Sequence, residues 1–139
     1  MFKKILVPLD GSKLAEKILP RVEWLAKIHG AEVTLLRVAL AHTFPGMDPV
    51  QHQLNAVREA EEYLAKAEEW MRGVGVSVKT VVRYGNDAQE IVDHARDREF
   101  DLIAMSTHGR TGFTQFVLGS VANKVINTAT VPILLYRPT

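Results

Sequence analysis

Short apolar runs alternate along this chain with segments whose apolar residues recur every three or four positions, and this alternation restricts the fold more than any other feature of the sequence. The runs are residues 5–7, 33–38, 76–82, 102–105 and 131–136. Runs of this length, rich in β-branched residues, are typical of strands buried on both faces of a parallel sheet. The run at 76–82 alternates apolar and polar residues instead, which indicates a strand near an edge of that sheet.

The segments between the runs predict amphipathic helices. Their apolar stripes are Ala15, Ile18, Val22, Leu25 and Ala26; Val57, Ala60, Leu64, Ala67 and Met71; Ala88, Ile91, Val92 and Ala95; and Val121, Ala122, Val125 and Ile126. Ser12 is the predicted N-cap of the first helix, and Pro20 predicts a kink within it. Gly30 and Gly73 follow helical segments and predict left-handed C-caps. Residues 41–50 contain two prolines and a glycine, and they predict an irregular loop.

The alternation of strand and helix patterns predicts an α/β fold. Units of this kind wind into a parallel sheet with helices on both faces. Because 139 residues suit one core, we expect a single α/β domain over residues 1–139 with an open, five-stranded parallel sheet.

Composition excludes several classes of function. The chain has 17 Lys and Arg against 16 Asp and Glu, and a net charge of +1 provides no field that favours nucleic acid or an anionic membrane. It has no Cys, which excludes disulfides, thiolate catalysis and Cys-ligated metal sites. No apolar run approaches the ~20 residues that cross a bilayer. We therefore expect a soluble, cytoplasmic protein with no nucleic acid and no membrane as partner.

One segment suits an anionic ligand. Open α/β sheets bind ligands beyond the carboxyl ends of their strands, and residues 106–112 follow the fourth run with small and hydroxyl-bearing side chains. Ser120 precedes the last apolar stripe, so helix N-terminal amides are expected beside it. His108 and Arg110 add cationic or hydrogen-bonding groups, and Arg110 fits a phosphate contact or a solvated position. The segment predicts a phosphate site, although glycines in such loops also serve tight turns alone.

The glycine spacing in this segment identifies a family. The chain has neither G-x-x-x-x-G-K-[ST] nor G-x-G-x-x-G after its first strand, but it has Ser106-x2-Gly109-x9-Gly119-Ser120. This pattern resembles the nucleotide loop of the ATP-binding branch of the universal stress protein family, Gly-x2-Gly-x9-Gly-Ser/Thr. The resemblance extends to the opening KKILVPLDGS, to Gly85 ahead of a helix, to DLIAM at 101–105 and to VPILL at 131–135.

The resemblance implies a Rossmann-like sheet of order 3-2-1-4-5 and an ATP site with a divalent cation, Mg2+ or Mn2+. The residues that it places at the nucleotide are Pro8, Leu9, Asp10, Val38, Met105, Ser106, His108, Gly109, Gly119, Ser120 and Val121. Asp10 would lie near phosphate or ribose and hold the metal; its alternative role is to cap the first helix. Val38 would lie at adenine, and the glycine segments would lie around the phosphates.

Two positions depart from a simple match. Ser106 stands where the family has its first glycine, so it either adopts a positive φ at a cost of about 1 kcal/mol or more, or has an ordinary φ and offers its hydroxyl to ribose or phosphate. Leu9 offers no side-chain hydrogen bond.

The last strand predicts a homodimer. It runs from Val131 to Tyr136, and Pro132 suits an edge or the start of a strand. Its other residues are too apolar for an uncovered edge, and pairing with a second copy would cover them. The resemblance implies the same dimer; the alternative is cover by the three-residue tail that follows.

The sequence therefore predicts an adenine-nucleotide-binding, homodimeric stress-response sensor or signalling protein. Two alternatives remain open at this stage. One is a slow, metal-dependent ATP hydrolase that uses Asp10, although the chain lacks a P-loop lysine and an evident water-orienting Gln or Glu. The other is a structural homodimer that binds no nucleotide.

Overall fold

Five parallel strands form the central sheet of the protein, which we describe from a computed structural model for residues 1–40, 44–108 and 118–138. The strands are β1 (Lys4–Pro8), β2 (Glu32–Leu40), β3 (Ser77–Gly85), β4 (Leu102–Ser106) and β5 (Ile133–Tyr136). The helices are α1 (Lys13–Glu16), α2 (Leu19–His29), α3 (Pro49–Gly73), α4 (Asp87–Asp97) and α5 (Ser120–Thr128). The sheet has the order β3-β2-β1-β4-β5 with every pair parallel, which confirms the predicted topology.

Helices cover both faces of the sheet, as predicted. Side chains alternate along each strand, so Ile5 and Leu35 face one apolar layer and Leu6 and Leu36 face the other. The first layer packs against α1, α2 and α3, and the second against α4 and α5.

The two edge strands differ in character. β3 forms one edge, which confirms the position predicted from its alternating sequence. Val78 is buried between exposed Ser77 and Lys79, but the alternation of burial stops there, because Thr80 is exposed as well. β5 forms the other edge, and Leu134 and Leu135 there are 36% and 37% exposed. The apolar edge expected at the end of the chain is therefore present.

The first helical segment is divided rather than kinked. Ser12 caps α1 as predicted, and its Oγ accepts a hydrogen bond from Ala15 N at 3.1 Å. The helix ends at Glu16, and α2 begins at Leu19 with Pro20 in its first turn. The predicted kink at Pro20 is therefore wrong, because a proline at a helix start lacks only an N–H that would have no intrahelical partner.

Helix α3 is longer than its apolar stripe predicts. It starts at Pro49, because Asp48 caps it by accepting from Val50 N at 3.0 Å, so the described part of the predicted loop ends at Asp48. At its other end Gly73 is still helical, and the predicted C-cap there is wrong. The left-handed residue is Gly75, with φ of 89°. The predicted left-handed C-cap at Gly30 is confirmed by its φ of 63°.

None of the helices in the described ranges combines the length and apolar character of a membrane-spanning segment.

Candidate functional site

A cleft of about 190 Å³ lies at the carboxyl edge of the sheet. It opens beside β1 and β4, the neighbouring strands whose following helices pack on opposite faces, which is where open α/β sheets bind ligands. Every predicted site residue that the structure describes lines this cleft: Pro8, Leu9, Asp10, Val38, Met105, Ser106, His108, Gly119, Ser120 and Val121. The two other predicted residues, Gly109 and Arg110, lie outside the described residues.

Asp10 both lines the cleft and organises the start of α1. Its Oδ1 accepts from the backbone N of Ser12 at 2.9 Å and from Ser12 Oγ at 2.6 Å. Because Ser12 Oγ in turn accepts from Ala15 N, the carboxylate is held in place by the cap of the helix. The capping role of Asp10 and its place in the cleft therefore occur together.

Ser106 stands in the cleft wall without backbone strain. Among the described residues only Glu99 has a positive φ outside glycine, so Ser106 has the ordinary φ of a strand residue. Its side chain is buried, and its Oγ donates to the carbonyl of Ala15 at 3.1 Å. The hydroxyl thus joins β4 to α1, and its donation to ribose or phosphate stays a prediction.

Val38 presents its backbone to the cleft. Leu9 N donates to Leu36 O at 2.8 Å, which fixes the side of β2 that faces β1. Backbone polar groups alternate along a strand, so the N–H and C=O of Val38 point the same way as those of Leu36. The register of β1 with β2 ends at the pair of Pro8 and Leu36, two residues before Val38. The Val38 groups therefore reach the edge where the cleft begins, while Leu9 contributes its backbone and its buried side chain.

The opposite end of the cleft is formed by the N-terminus of α5. Gly119 is the N-cap and Ser120 is already helical, one residue earlier than the apolar stripe indicates. Ser120, Val121 and Ala122 all line the cleft. The first amides of a helix have no intrahelical acceptor, so this end suits an anion.

Gly119 lies against the residue that follows β4. Its N–H donates to Thr107 O at 2.8 Å, and a Cβ at Gly119 would lie 2.8 Å from that oxygen. Thr107 Oγ1 is 3.0 Å from His108 Nδ1, and both side chains are buried. Glycine is therefore needed at 119 for α5 to begin this close to β4.

Several cleft residues were not predicted as site residues. They are Ala15, Leu36, Arg37, Leu40, Asp87, Ile91 and Ala122. Arg37 is the most unusual of them, because it is 8% exposed and its guanidinium carbon lies 5.1 Å from the ring centre of Tyr63. An arginine inside the otherwise apolar run 33–38 was the available signal.

Charged groups gather on the Arg37 side of the cleft. Burial raises the pKa of the Tyr63 hydroxyl, the carboxylates of Glu16 and Asp10 raise it further, and Arg37 opposes them. Tyr63 is therefore neutral at physiological pH, and both carboxylates and the guanidinium lie close enough to act on it.

A cation at this site would need oxygen ligands from a bound nucleotide in addition to those from the protein. In residues 1–40, 44–108 and 118–138, no three His, Asp or Glu side chains converge as a metal-binding group. Mg2+ is commonly held by one or two carboxylates together with phosphate oxygens and waters. Asp10, the predicted metal ligand, fits that arrangement.

Comparison with known proteins gives consistent matches. The model of the universal stress protein family matches residues 1–137. The universal stress protein YxiE of Bacillus subtilis is 32% identical over 148 aligned positions, which cover 99% of this chain and all of that protein. The solved structure of MJ0577 from Methanocaldococcus jannaschii is 31% identical with a TM-score of 0.89, over all of this chain and 98% of that one.

A more distant structure resembles the protein in fold. It is the universal stress protein from Archaeoglobus fulgidus solved in complex with dAMP, which is 23% identical with a TM-score of 0.73. The alignment covers 96% of this chain and 97% of that one.

Proposed function

This chain belongs to the universal stress protein family, and from that premise we propose that it binds an adenine nucleotide, ATP together with Mg2+ or Mn2+. We propose further that it acts in the cytoplasm as a homodimeric sensor or signalling protein of the stress response.

The proposal depends chiefly on one observation: the predicted site residues that the structure describes, although far apart in the chain, line a single cleft. The α5 end of that cleft offers backbone amides for phosphate. The Val38 end offers a backbone N–H and C=O beside the apolar side chains of Leu40 and Ile91. This distribution suits a ligand with an anionic tail and a flat, polar-edged base.

Each part of the nucleotide has a proposed set of contacts. The amides of Ser120 and Val121 bind the phosphate tail, together with Gly109 and Arg110, which stay predictions from the sequence. Asp10 holds the cation that accompanies the phosphates. Adenine N1 accepts from Val38 N–H, and the adenine amine donates to Val38 C=O. The dAMP complex of the Archaeoglobus protein makes an adenine nucleotide the first ligand to test.

Binding is better supported than turnover. Hydrolysis of ATP needs a clamp on the γ-phosphate and a group that orients the attacking water. The described residues of the cleft wall include no lysine, glutamine or glutamate. Phosphate release in proportion to enzyme, abolished by Asp10→Ala, would favour the hydrolase instead.

The homodimer is proposed through β5. This strand ends the sheet and exposes Leu134 and Leu135 along an edge with backbone groups in position to pair. A second copy of β5 would continue the sheet across a twofold axis and remove that edge.

Isothermal titration calorimetry with ATP and MgCl2 tests the nucleotide proposal. We expect wild-type protein to bind ATP, and to bind it more weakly when EDTA removes the cation. Asp10→Asn should lose most of that dependence on Mg2+, because its side chain no longer carries the charge that holds the cation.

Asp97→Asn is the matched control, since that carboxylate lies at the far end of α4 and is 63% exposed. It should behave as wild type. The absence of any heat with millimolar ATP and Mg2+ would overturn the nucleotide proposal.

A further inference from the structure

A second carboxylate lines the cleft on its β2 side, whereas α5 follows β4 on the other side of β1. Asp87 is the first residue of α4. The register of β2 with β3 places Gly85 beside Leu40, and α4 begins two residues later. Asp87 therefore follows β3 at the level of Leu40, which lies two residues beyond Val38 on β2, and it lines the cleft together with Leu40 and Ile91.

A carboxylate is unfavourable beside phosphates because like charges repel. Its position at the apolar end of the cleft avoids that repulsion, since this end is proposed to hold the base. Asp87 is half-buried, and a ligand that displaced water from its carboxylate would have to offer donors in return. One donor is Ala88 N, which gives a hydrogen bond of 2.7 Å to Asp87 Oδ1. An ionised carboxylate has about four acceptor positions, so its capacity exceeds this one contact.

We infer that Asp87 is a specificity-determining residue that accepts a hydrogen bond from the exocyclic amine of adenine. The inference rests on the proposed function, and it deepens it. The amine has two hydrogens: Val38 C=O accepts one and the Asp87 carboxylate accepts the other. Hypoxanthine has an oxygen in place of that amine. The lone pairs of this oxygen would face the negative charge of Asp87 and weaken binding.

The Val38 backbone determines whether the site prefers the amine of adenine or that of guanine. A carboxylate alone could also pair with the N1–H and amine of guanine. The neighbouring Val38 N–H, however, requires an acceptor on the base, and adenine N1 is one whereas guanine N1 carries a hydrogen. The N–H and C=O of Val38 and the Asp87 carboxylate together match adenine and exclude both guanine and hypoxanthine.

The test compares ATP, ITP and 2′-deoxy-ATP by isothermal titration calorimetry with Mg2+, in wild type and Asp87→Asn. Hydrogen bonds to a charged group contribute about 1.5–3 kcal/mol, which corresponds to ~10- to 100-fold in affinity. We expect wild type to prefer ATP over ITP by ~10-fold or more. Asp87→Asn should narrow that ratio by several-fold, by weakening ATP and strengthening ITP, because the amide can donate to the oxygen of hypoxanthine. The preference that remains comes from the Val38 N–H, which faces N1–H of hypoxanthine.

Asp87→Asn should change ligand recognition without disturbing the start of α4. Asparagine retains an oxygen that can accept from Ala88 N, so α4 keeps its first-turn contact. Asp97→Asn, on the same helix, should leave the ATP to ITP ratio at the wild-type value.

Three outcomes would overturn the inference. An unchanged ATP to ITP ratio in Asp87→Asn would leave Asp87 with a capping role only. Equal losses for ATP and ITP, with loss of any preference for ATP over 2′-deoxy-ATP, would show that the carboxylate contacts ribose. Absence of ATP binding by wild type would overturn the proposed function as well, so the two failures are distinguishable.

Discussion

Gly119 holds α5 against the end of β4, and no other residue fits its place. An alanine there would bring a methyl group to 2.8 Å from Thr107 O, a backbone atom of the residue that directly follows the buried strand β4. We predict that Gly119→Ala destabilises the protein by about 1–3 kcal/mol, the usual range for overpacking, and weakens ATP binding because the α5 amides move. Urea denaturation and calorimetry measure the two effects.

Gly73→Ala is the control for that substitution. Gly73 lies at the end of α3 with nothing near the position of an added Cβ, and its φ is not positive. We expect equal or greater stability, by up to ~1 kcal/mol, since alanine favours a helix. Equal stability changes in both variants would contradict the steric role of Gly119.

Residue roles were predictable where they depend on near neighbours in the chain. Ser12 and Gly30 were predicted because a cap acts on the helix next to it. Gly73 was wrongly predicted as a left-handed cap, since a pattern of apolar residues does not define where a helix ends. Gly73 is the last helical residue, and the left-handed residue is Gly75. Arg37 and Asp87 were missed because their places in the cleft depend on neighbours that are distant in sequence.

At the scale of an element, α4 carries a buried histidine. His94 is 7% exposed, and its ring centre lies 5.5 Å from that of Phe100. Burial lowers the pKa of His94 below 6.5, and the positive charges of Arg83, Arg98 and Lys4 lower it further, against the opposing effect of Asp97. Just below pH 6.5, His94 is therefore protonated more readily in the unfolded chain than in the folded protein.

This difference predicts a pH dependence of stability. The contribution of neutral His94 is fully present above pH 6.5 and is lost as the pH falls below 6.5 towards the folded-state pKa. We expect the free energy of unfolding, measured by urea denaturation between pH 7.5 and 5, to decline less steeply in His94→Gln than in wild type. Identical slopes in wild type and His94→Gln would count against the prediction.

The sequence predicted which helices and strands exist more accurately than it predicted where they begin and end. The strands followed from their apolar runs, and β3 was placed near an edge by its alternation. The break between α1 and α2 was read as a kink, because one apolar stripe passes through both helices. The start of α3 was missed, because Val50 and Leu54 are exposed there and form no part of the buried stripe.

At the scale of the whole molecule, the apolar edge of β5 predicts the assembly. We expect wild type to be a dimer by sedimentation, and Leu134→Lys to shift it to monomer, because a charged side chain on an edge strand opposes pairing with another strand. Leu134 is 36% exposed, so the substitution should leave the core intact.

Leu54→Lys is the control, since Leu54 lies on α3 and is 55% exposed. It should stay dimeric. A monomeric wild type would refute the proposed dimer, and dissociation caused equally by Leu54→Lys would place the interface elsewhere.

The cleft lies between residues from the N-terminal part of the chain and residues from its C-terminal part. One wall comes from residues between 8 and 40, and the other from Asp87, Ile91, residues 105–108 and residues 119–122. The pairing of β1 with β4 and the hydrogen bond from Ser106 to Ala15 are among the contacts that join the two parts. A molecule bound there contacts both parts at once. If it binds only the folded state, it raises the free energy of unfolding by RT ln(1 + [L]/Kd), where [L] is its free concentration and Kd its dissociation constant. If the cleft binds a nucleotide as proposed, the thermal stability and protease resistance of the protein would rise with the concentration of that nucleotide.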